Sequence, residues 1–280
     1  MNTIHHITGL REILDSARKN KRRIGLIPTM GALHAGHLSL ISAAAKDNEY
    51  LVVTIFVNPT QFNNKKDLDK YPRDLDQDLA MLKSYPVDVV FAPNVIEMYP
   101  SDVKQAYDLS PLDTVMEGKH RPGHFAGVAE IVSKLFEITD PDSAYFGQKD
   151  FQQLTIIRRL ANIMKMDIDI VACPIIREKD GLAMSSRNQL LSPKERAVAP
   201  LIYKTLLAAR QKKNTLSPSQ VSEFVKEKIN SEPMLDLEYF EIVDNVTLMP
   251  IDDWGSKVNK VACIAVQLGE VRLIDNIYFD

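Results

Sequence analysis

The sequence predicts an α/β fold, a doubly wound parallel sheet followed by a smaller C-terminal α+β domain. Two features carry that prediction. As far as residue 177, short runs of uninterrupted apolar residues alternate with helical patterns. Beyond it the order changes to helices first and strands after them. Strands without polar alternation are buried on both faces, as in a parallel sheet covered by helices. Helices followed by strands segregate into an α+β unit. The expected domains are therefore 1–177 and 178–280.

Taken in order, the first strand is expected at Arg23 to Pro28 (RIGLIP) and the strongest at Leu51 to Val57 (LVVTIFV). Val87 to Ala92, Ala144 to Gly147 and Ile168 to Cys173 follow. Helical patterns fill the gaps at Thr8 to Asn20, Gly36 to Asp47, Asp74 to Tyr85, Gly127 to Thr139 and Phe151 to Met164. This spacing makes βαβ units with right-handed crossovers, and such a sheet binds its ligand beyond the carboxyl ends of its strands. Asn58 to Arg73 is polar, with Lys65, Lys66, Asp67 and Asp69, and reads either as a lid or as a solvated connection. In the second part, Ser192-Pro193-Lys194-Glu195 is a capping box opening a helix to about Lys212, and Ser217-Pro218-Ser219-Gln220 repeats it. Strands are expected at Leu237 to Val243, Val261 to Leu268 and Val271 to Asp275.

Composition narrows the function. Of 280 residues, 45% are hydrophobic and 25% charged, an ordinary globular balance. A net charge of -3 and a pI near 6.1 argue against nucleic acid as the partner, because phosphate backbones select basic surfaces. Cys173 and Cys263 have no zinc-ligand spacing, and each sits in an apolar run, so buried free thiols are expected. The N-terminus lacks an apolar core of secretory length, and no run is long enough to span a bilayer. No membrane partner and a cytoplasmic location are the expectation.

The most informative stretch closes the first strand: Pro28-Thr29-Met30-Gly31-Ala32-Leu33-His34-Ala35-Gly36-His37. Gly31 and Gly36 permit tight turns and close approach of a ligand. A helix beginning near Gly36 aims its N–H groups at the strand's carboxyl edge, where an anion can sit. His34 and His37 share one side of the first turn and can donate to phosphate oxygens as charge develops. Met184-Ser185-Ser186-Arg187 offers hydroxyls and a guanidinium fork suited to phosphates. After the fourth strand, Gly147-Gln148-Lys149-Asp150 falls on the same edge. Lys149 can reach a phosphate or a substrate carboxylate. Asp150 can hold a ribose hydroxyl or cap the helix. Gln153 lies one turn beyond Lys149. Gln61, in Asn58-Pro59-Thr60-Gln61-Phe62, offers both donors and acceptors. Arg121-Pro122-Gly123-His124-Phe125 reads equally as a functional cluster or as a turn with a surface arginine.

His-Ala-Gly-His resembles the HxGH signature of the nucleotidyltransferase superfamily. With FVNPTQF, RPGHF, FGQKDFQQ and GLAMSSRN, the chain resembles the pantothenate synthetase family along nearly its whole length. The resemblance implies a Rossmann-like domain and a smaller C-terminal domain with the active site between them. It implies ATP and Mg²⁺, with pantoate and β-alanine condensed through a pantoyl-adenylate, in a homodimer. By resemblance, Met30 to His37, Gly147 to Asp150, Ile176 and Met184 to Arg187 surround ATP. Gln61 and Gln153 hold pantoate, Gln61 also touches β-alanine, and His37 is the proton donor. His34, His37, Lys149, Ser185, Ser186 and Arg187 are the expected catalytic set. The Mg²⁺ ligands stay open: ATP supplies most of them, and Asp78 and the acids near Asp74 read as helpers or as a solvated helix face.

Overall fold

The computed structural model describes residues 1–101, 105–255 and 257–279, with the side chain of Lys66 outside the described residues. Six parallel strands form the larger sheet: β1 (Asn2–Ile4), β2 (Ile24–Thr29), β3 (Tyr50–Ile55), β4 (Val89–Phe91), β5 (Ser143–Gly147) and β6 (Asp169–Cys173). Their order is β1-β4-β3-β2-β5-β6. The helices between them are α1 (Ile7–Lys19), α2 (Ala35–Asp47), α3 (Lys65–Lys70), α4 (Leu75–Leu82), α5 (Val95–Met98), α6 (Met116–His120), α7 (His124–Thr139) and α8 (Phe151–Met164). Then come α9 (Pro193–Val198), α10 (Leu201–Gln211) and α11 (Pro218–Asn230), followed by an antiparallel sheet of β7 (Leu235–Asp244), β8 (Lys260–Leu268) and β9 (Val271–Tyr278).

The uninterrupted apolar strands have the expected cause. Leu26, Val52 and Phe91 point into a core with Leu10 of α1, Val128 of α7 and Leu154 of α8. Their neighbours Ile27, Val53 and Val90 point the other way, against Leu40 and Ile41 of α2 and Leu82 of α4. Alternate side chains thus fill two different cores.

The expected strands and helices are found within a few residues, and the departures have physical reasons. β1 has three residues and no apolar run, and it exists by pairing with β4 at the sheet edge. The helix expected from Ser192 to Lys212 is broken before Leu201, because Pro200 cannot continue an N–H ladder. Asn58 to Arg73 is not featureless: it holds a 3₁₀ turn at Pro59–Gln61 and α3.

The antiparallel sheet is covered on both sides. Ile264 and Val266 pack with Leu206, Val221 and Val225 of α10 and α11. Val243, Val261 and Cys263 join the core of the parallel sheet. Across the expected 177/178 boundary, Arg177 grips Asp275 of β9 with two hydrogen bonds of 2.6 and 2.9 Å.

Strand order reverses direction between β2 and β5. These two strands pair only at Gly25–Ser143 and Leu26–Ala144, whereas β2 stays paired to β3 as far as Thr29. Amide groups alternate sides along a parallel strand. Thr29 faces β3, since its carbonyl accepts from Phe56 N, so Pro28 faces β5. Proline has no N–H to give there. The sheet splits at its carboxyl end, at the position where doubly wound sheets place their ligands.

Candidate functional site

A cavity of ≈ 220 Å³ opens at this split. Met30, His34, Gly36 and His37 line it from the β2–α2 connection, and Gly147, Lys149, Asp150 and Gln153 from the end of β5 and the start of α8. Gln61, Ile176 and Met184 to Arg187 complete the wall from segments far apart in sequence. Gly31, Ala32, Leu33, Ala35 and Gln148, also expected at the nucleotide, are not among its lining residues. Leu33 is buried in the core, and the backbone of this stretch shapes the loop instead. At Lys149, Asp150, Gln153, Ser185 and Arg187 the cavity meets a larger one of ≈ 800 Å³, which runs between the antiparallel sheet and the helices and loops beyond the carboxyl edge of the parallel one.

The imidazoles are partners as well as neighbours, with ring centroids 4.1 Å apart. His34 is the N-cap of α2, its Nδ1 accepting from Gly36 N at 3.1 Å, and His37 Nδ1 accepts from His34 N at 3.3 Å. The reciprocal pair is a capping box made of histidines. It alters the expected anion site, since these two backbone N–H groups are taken by the rings. An Nδ1 that accepts must be unprotonated, so each neutral ring carries its proton on Nε2. Burial holds both rings in that form. It lowers His37 to about 3, helped by His34 and then Lys149, and lowers His34 to about 4, helped by Lys149. Two neutral Nε2–H donors remain for a ligand.

Gln61 is 9% exposed, and both ends of its amide are used. Its Oε1 accepts from Asn58 Nδ2 at 3.1 Å, and its Nε2 lies 2.9 Å from Met30 Sδ. A thioether is a weak acceptor, so this N–H is the one a ligand oxygen can claim. Gly127 of α7 permits the packing, because a Cβ there would lie 2.4 Å from Thr60 O. The Arg121–Phe125 cluster is not a surface turn. Arg121 Nη1 donates to His124 Nε2 (3.1 Å), which leaves the proton on Nδ1 to hold the Gln61 carbonyl (2.8 Å). Burial and the Arg121 charge bring His124 down to about 4. Arg121 faces Glu117 at 3.7 Å, and Glu117 takes two hydrogen bonds from Arg272 of β9 (2.7 and 2.8 Å) and one from Tyr239 (2.7 Å). A chain of contacts thus runs from the antiparallel sheet to Gln61.

The same sheet steadies the Lys149 turn: Asn276 Nδ2 donates to the carbonyls of Gln148 (2.8 Å) and Lys149 (3.0 Å). On the opposite wall, Ser185 Oγ caps the 3₁₀ turn Ser186–Leu190 by accepting from Arg187 N. Arg187 Nη2 meets Asp67 of α3 at 3.0 Å. A carboxylate stands where the sequence placed a phosphate.

For a divalent cation the protein offers little. No group of three or more His, Cys, Asp or Glu side chains converges among the described residues. Asp150 is the one carboxylate among the described residues that line the smaller cavity. Asp78 fits neither expected role: it is 3% exposed, so it is no solvated face, and both its oxygens accept backbone N–H groups, from Ala32 and Leu33.

Asn276, Glu117 and Arg272 escaped the sequence reading, and so did the role that Asp78 plays in holding the Ala32 and Leu33 amides. Each acts across a long sequence separation through a backbone atom or another charge, and none sits in a local pattern that would have marked it.

Comparison with known proteins agrees with this geometry. The family model described as Pantoate-beta-alanine ligase matches residues 2–278. A pantothenate synthetase of Bacteroides fragilis is 52% identical over 279 residues, covering 100% of this chain and 99% of the relative. One from Porphyromonas gingivalis is 49% identical over 280 residues, covering 100% of both. The crystal structure of pantothenate synthetase from Thermus thermophilus superposes with a TM-score of 0.93 at 40% identity, covering 100% and 99% of the two chains. The pantoate-beta-alanine ligase of Francisella tularensis, complexed with beta-gamma ATP and beta-alanine, gives 0.83 at 35% identity, covering 100% and 98%.

Proposed function

The chain belongs to the pantoate–β-alanine ligase family, and from that premise we infer that it joins pantoate to β-alanine with ATP through an acyl-adenylate formed in the smaller cavity. One observation carries the site assignment: the His34–His37 pair and the Met184–Arg187 segment, remote in sequence, line the same cleft.

In the first step the pantoate carboxylate attacks the α-phosphorus, and the bond to pyrophosphate breaks. A carboxylate is nucleophilic at neutral pH, so no base is required. The Nε2–H groups of His34 and His37 donate to the α-phosphate oxygens as their charge grows. The low proton affinity of His37 favours this hydrogen-bond role over transfer of a proton. Lys149 and Arg187 stand by the leaving pyrophosphate, Arg187 exchanging Asp67 for phosphate. Gln61 and Gln153 hold pantoate, and Gln61 lies where the second substrate must approach. Ile176 and the Gly147–Asp150 turn border the nucleotide. In the second step the neutral amine of β-alanine attacks the acyl carbon, and AMP leaves. The cleft shields the anhydride from water.

Mg²⁺ belongs to this reading as an ion that would arrive on the triphosphate and offset its charge, and Asp150, the one carboxylate among the described residues that line the smaller cavity, would be the side chain to meet it. The division into domains 1–177 and 178–280, the second closing over the first, is supported by the larger cavity, whose walls come from both parts of the chain. A cytoplasmic homodimer completes the proposal. The family resemblance supports the dimer, and the two buried, unpaired thiols suit a reducing compartment. No described helix is long and apolar enough to cross a membrane.

The test is to supply the purified protein with ATP, Mg²⁺ and pantoate and follow isotope exchange between pyrophosphate and ATP, then to add β-alanine and measure AMP. Exchange that requires pantoate, and AMP that requires both acids, is expected. Exchange proceeding without pantoate would instead indicate a nucleotidyltransferase with another acceptor.

A further inference from the structure

Between the end of β2 and the start of α2, successive backbone N–H groups are held by side chains. Gly31 N donates to Thr29 Oγ1 (3.2 Å), Ala32 N to Asp78 Oδ2 (3.0 Å), Leu33 N to Asp78 Oδ1 (2.7 Å) and His34 N to His37 Nδ1 (3.3 Å). Asp78 comes from α4, well away in sequence. Gly31 and Ala32 have φ of 77° and 49°, a backbone path that L residues rarely take. A Cβ on Gly31 would lie 2.8 Å from Asp78 Oδ2, so backbone and carboxylate are in close contact. A carboxylate presents two acceptor oxygens to two adjacent N–H groups, whereas an amide would present one oxygen and turn an NH₂ towards the second donor.

We propose that Asp78 is a positioning residue for the adenylation step: its carboxylate fixes the left-handed turn Gly31–Leu33 and thereby aims the Nε2–H groups of His34 and His37 into the cleft. Asp78 lines neither cavity and so does not touch substrate. It acts through the next residue along the chain, because the turn it holds ends at His34, the N-cap of α2. Pantoate is held by groups anchored elsewhere: Gln61 is tied to Asn58 and His124 and meets the turn's side of the cleft only through the weak acceptor Met30 Sδ, and Gln153 rides on α8. Loss of Asp78 should therefore disturb the phosphate side of the cleft and spare the pantoate side. The inference rests on the adenylating role of this cleft, which the exchange activity of the unaltered enzyme tests separately.

The experiment compares Asp78→Asn and Asp78→Ala with the unaltered full chain in pantoate-dependent pyrophosphate–ATP exchange. A displaced catalytic group costs rate steeply, so Asp78→Ala should lower kcat by about tenfold or more. The pantoate KM should stay within about twofold, and Asp78→Asn, with one acceptor left, should fall between the two. If the alanine protein does not fold, the near-isosteric asparagine protein decides by the same split. Parent kcat in Asp78→Asn, or a raised pantoate KM with kcat preserved, would overturn the proposal. No exchange in the unaltered enzyme would overturn the reading of the cleft itself.

Discussion

At His37 one ring serves two needs through its two nitrogens. Nδ1 caps the backbone of His34, and that bond leaves the proton on Nε2 of a ring that lines the cleft. His37→Ala removes both. Losing the cap costs about 1 kcal/mol of stability, while losing a donor to the developing oxyanion lowers the exchange rate by ~10²–10³-fold. His37→Gln discriminates between donating a hydrogen bond and transferring a proton. Its amide can offer an N–H but cannot titrate, so an exchange rate clearly above that of the alanine protein is expected. Equal rates in the two variants would return proton transfer to consideration. The sequence made this pair legible, because a strand, a turn and two histidines one turn apart form a local pattern. Which nitrogen holds the proton was not legible, since that depends on backbone geometry at the cap.

At the scale of elements, the segment from Asn58 to Arg73 shows what local reading misses. Its composition reads either as a lid or as a solvated connection and names no partner, yet α3 places Asp67 against Arg187 and Lys70 against Glu270 at 2.8 Å, all four of them lining the larger cavity. The opposing residues are far off in sequence, so no window on the segment itself reveals them. Asn276 is hidden in the same way: its partners are two carbonyls, which any residue type would supply. The Asp67 carboxylate competes with phosphate for one guanidinium. Both side chains keep substantial exposure, so the pair contributes about 0.2–1 kcal/mol. Asp67→Asn should accordingly lower the KM for ATP by roughly 1.4- to 5-fold and leave the pantoate KM alone. An unchanged or raised ATP KM would show that Arg187 does not meet the triphosphate.

For the molecule as a whole, the sequence foretold the doubly wound sheet because burial on both faces leaves a direct trace in apolar runs. It could not foretell that the second sheet shares its core with the first, since packing between units has no period of its own. That shared interior has a consequence for acid stability. His34, His37 and His124 all have proton affinities depressed by burial, to about 4, 3 and 4. In the unfolded chain an imidazole titrates near 6.5, so between these values the unfolded state binds more protons than the folded one. Stability from each ring is therefore complete above pH 6.5 and is lost as pH falls through the window towards 4. Burial raises Asp78, Asp275 and Glu241 instead, which works in the opposite direction. Those carboxyls are common to a parent and a histidine variant, so their effect cancels in the comparison. His124→Gln, read by urea unfolding, should be less stable than the parent at pH 7 because the Arg121 and Gln61 contacts are disturbed. Its stability should then fall less steeply on acidification, by up to about 1.4 kcal/mol per pH unit around pH 5, the value for one proton. Parallel stability curves for the two proteins between pH 7 and 5 would mean that His124 takes up its proton at the same pH in the folded enzyme as in the unfolded chain, and that Gln61 is held by some other arrangement of protons.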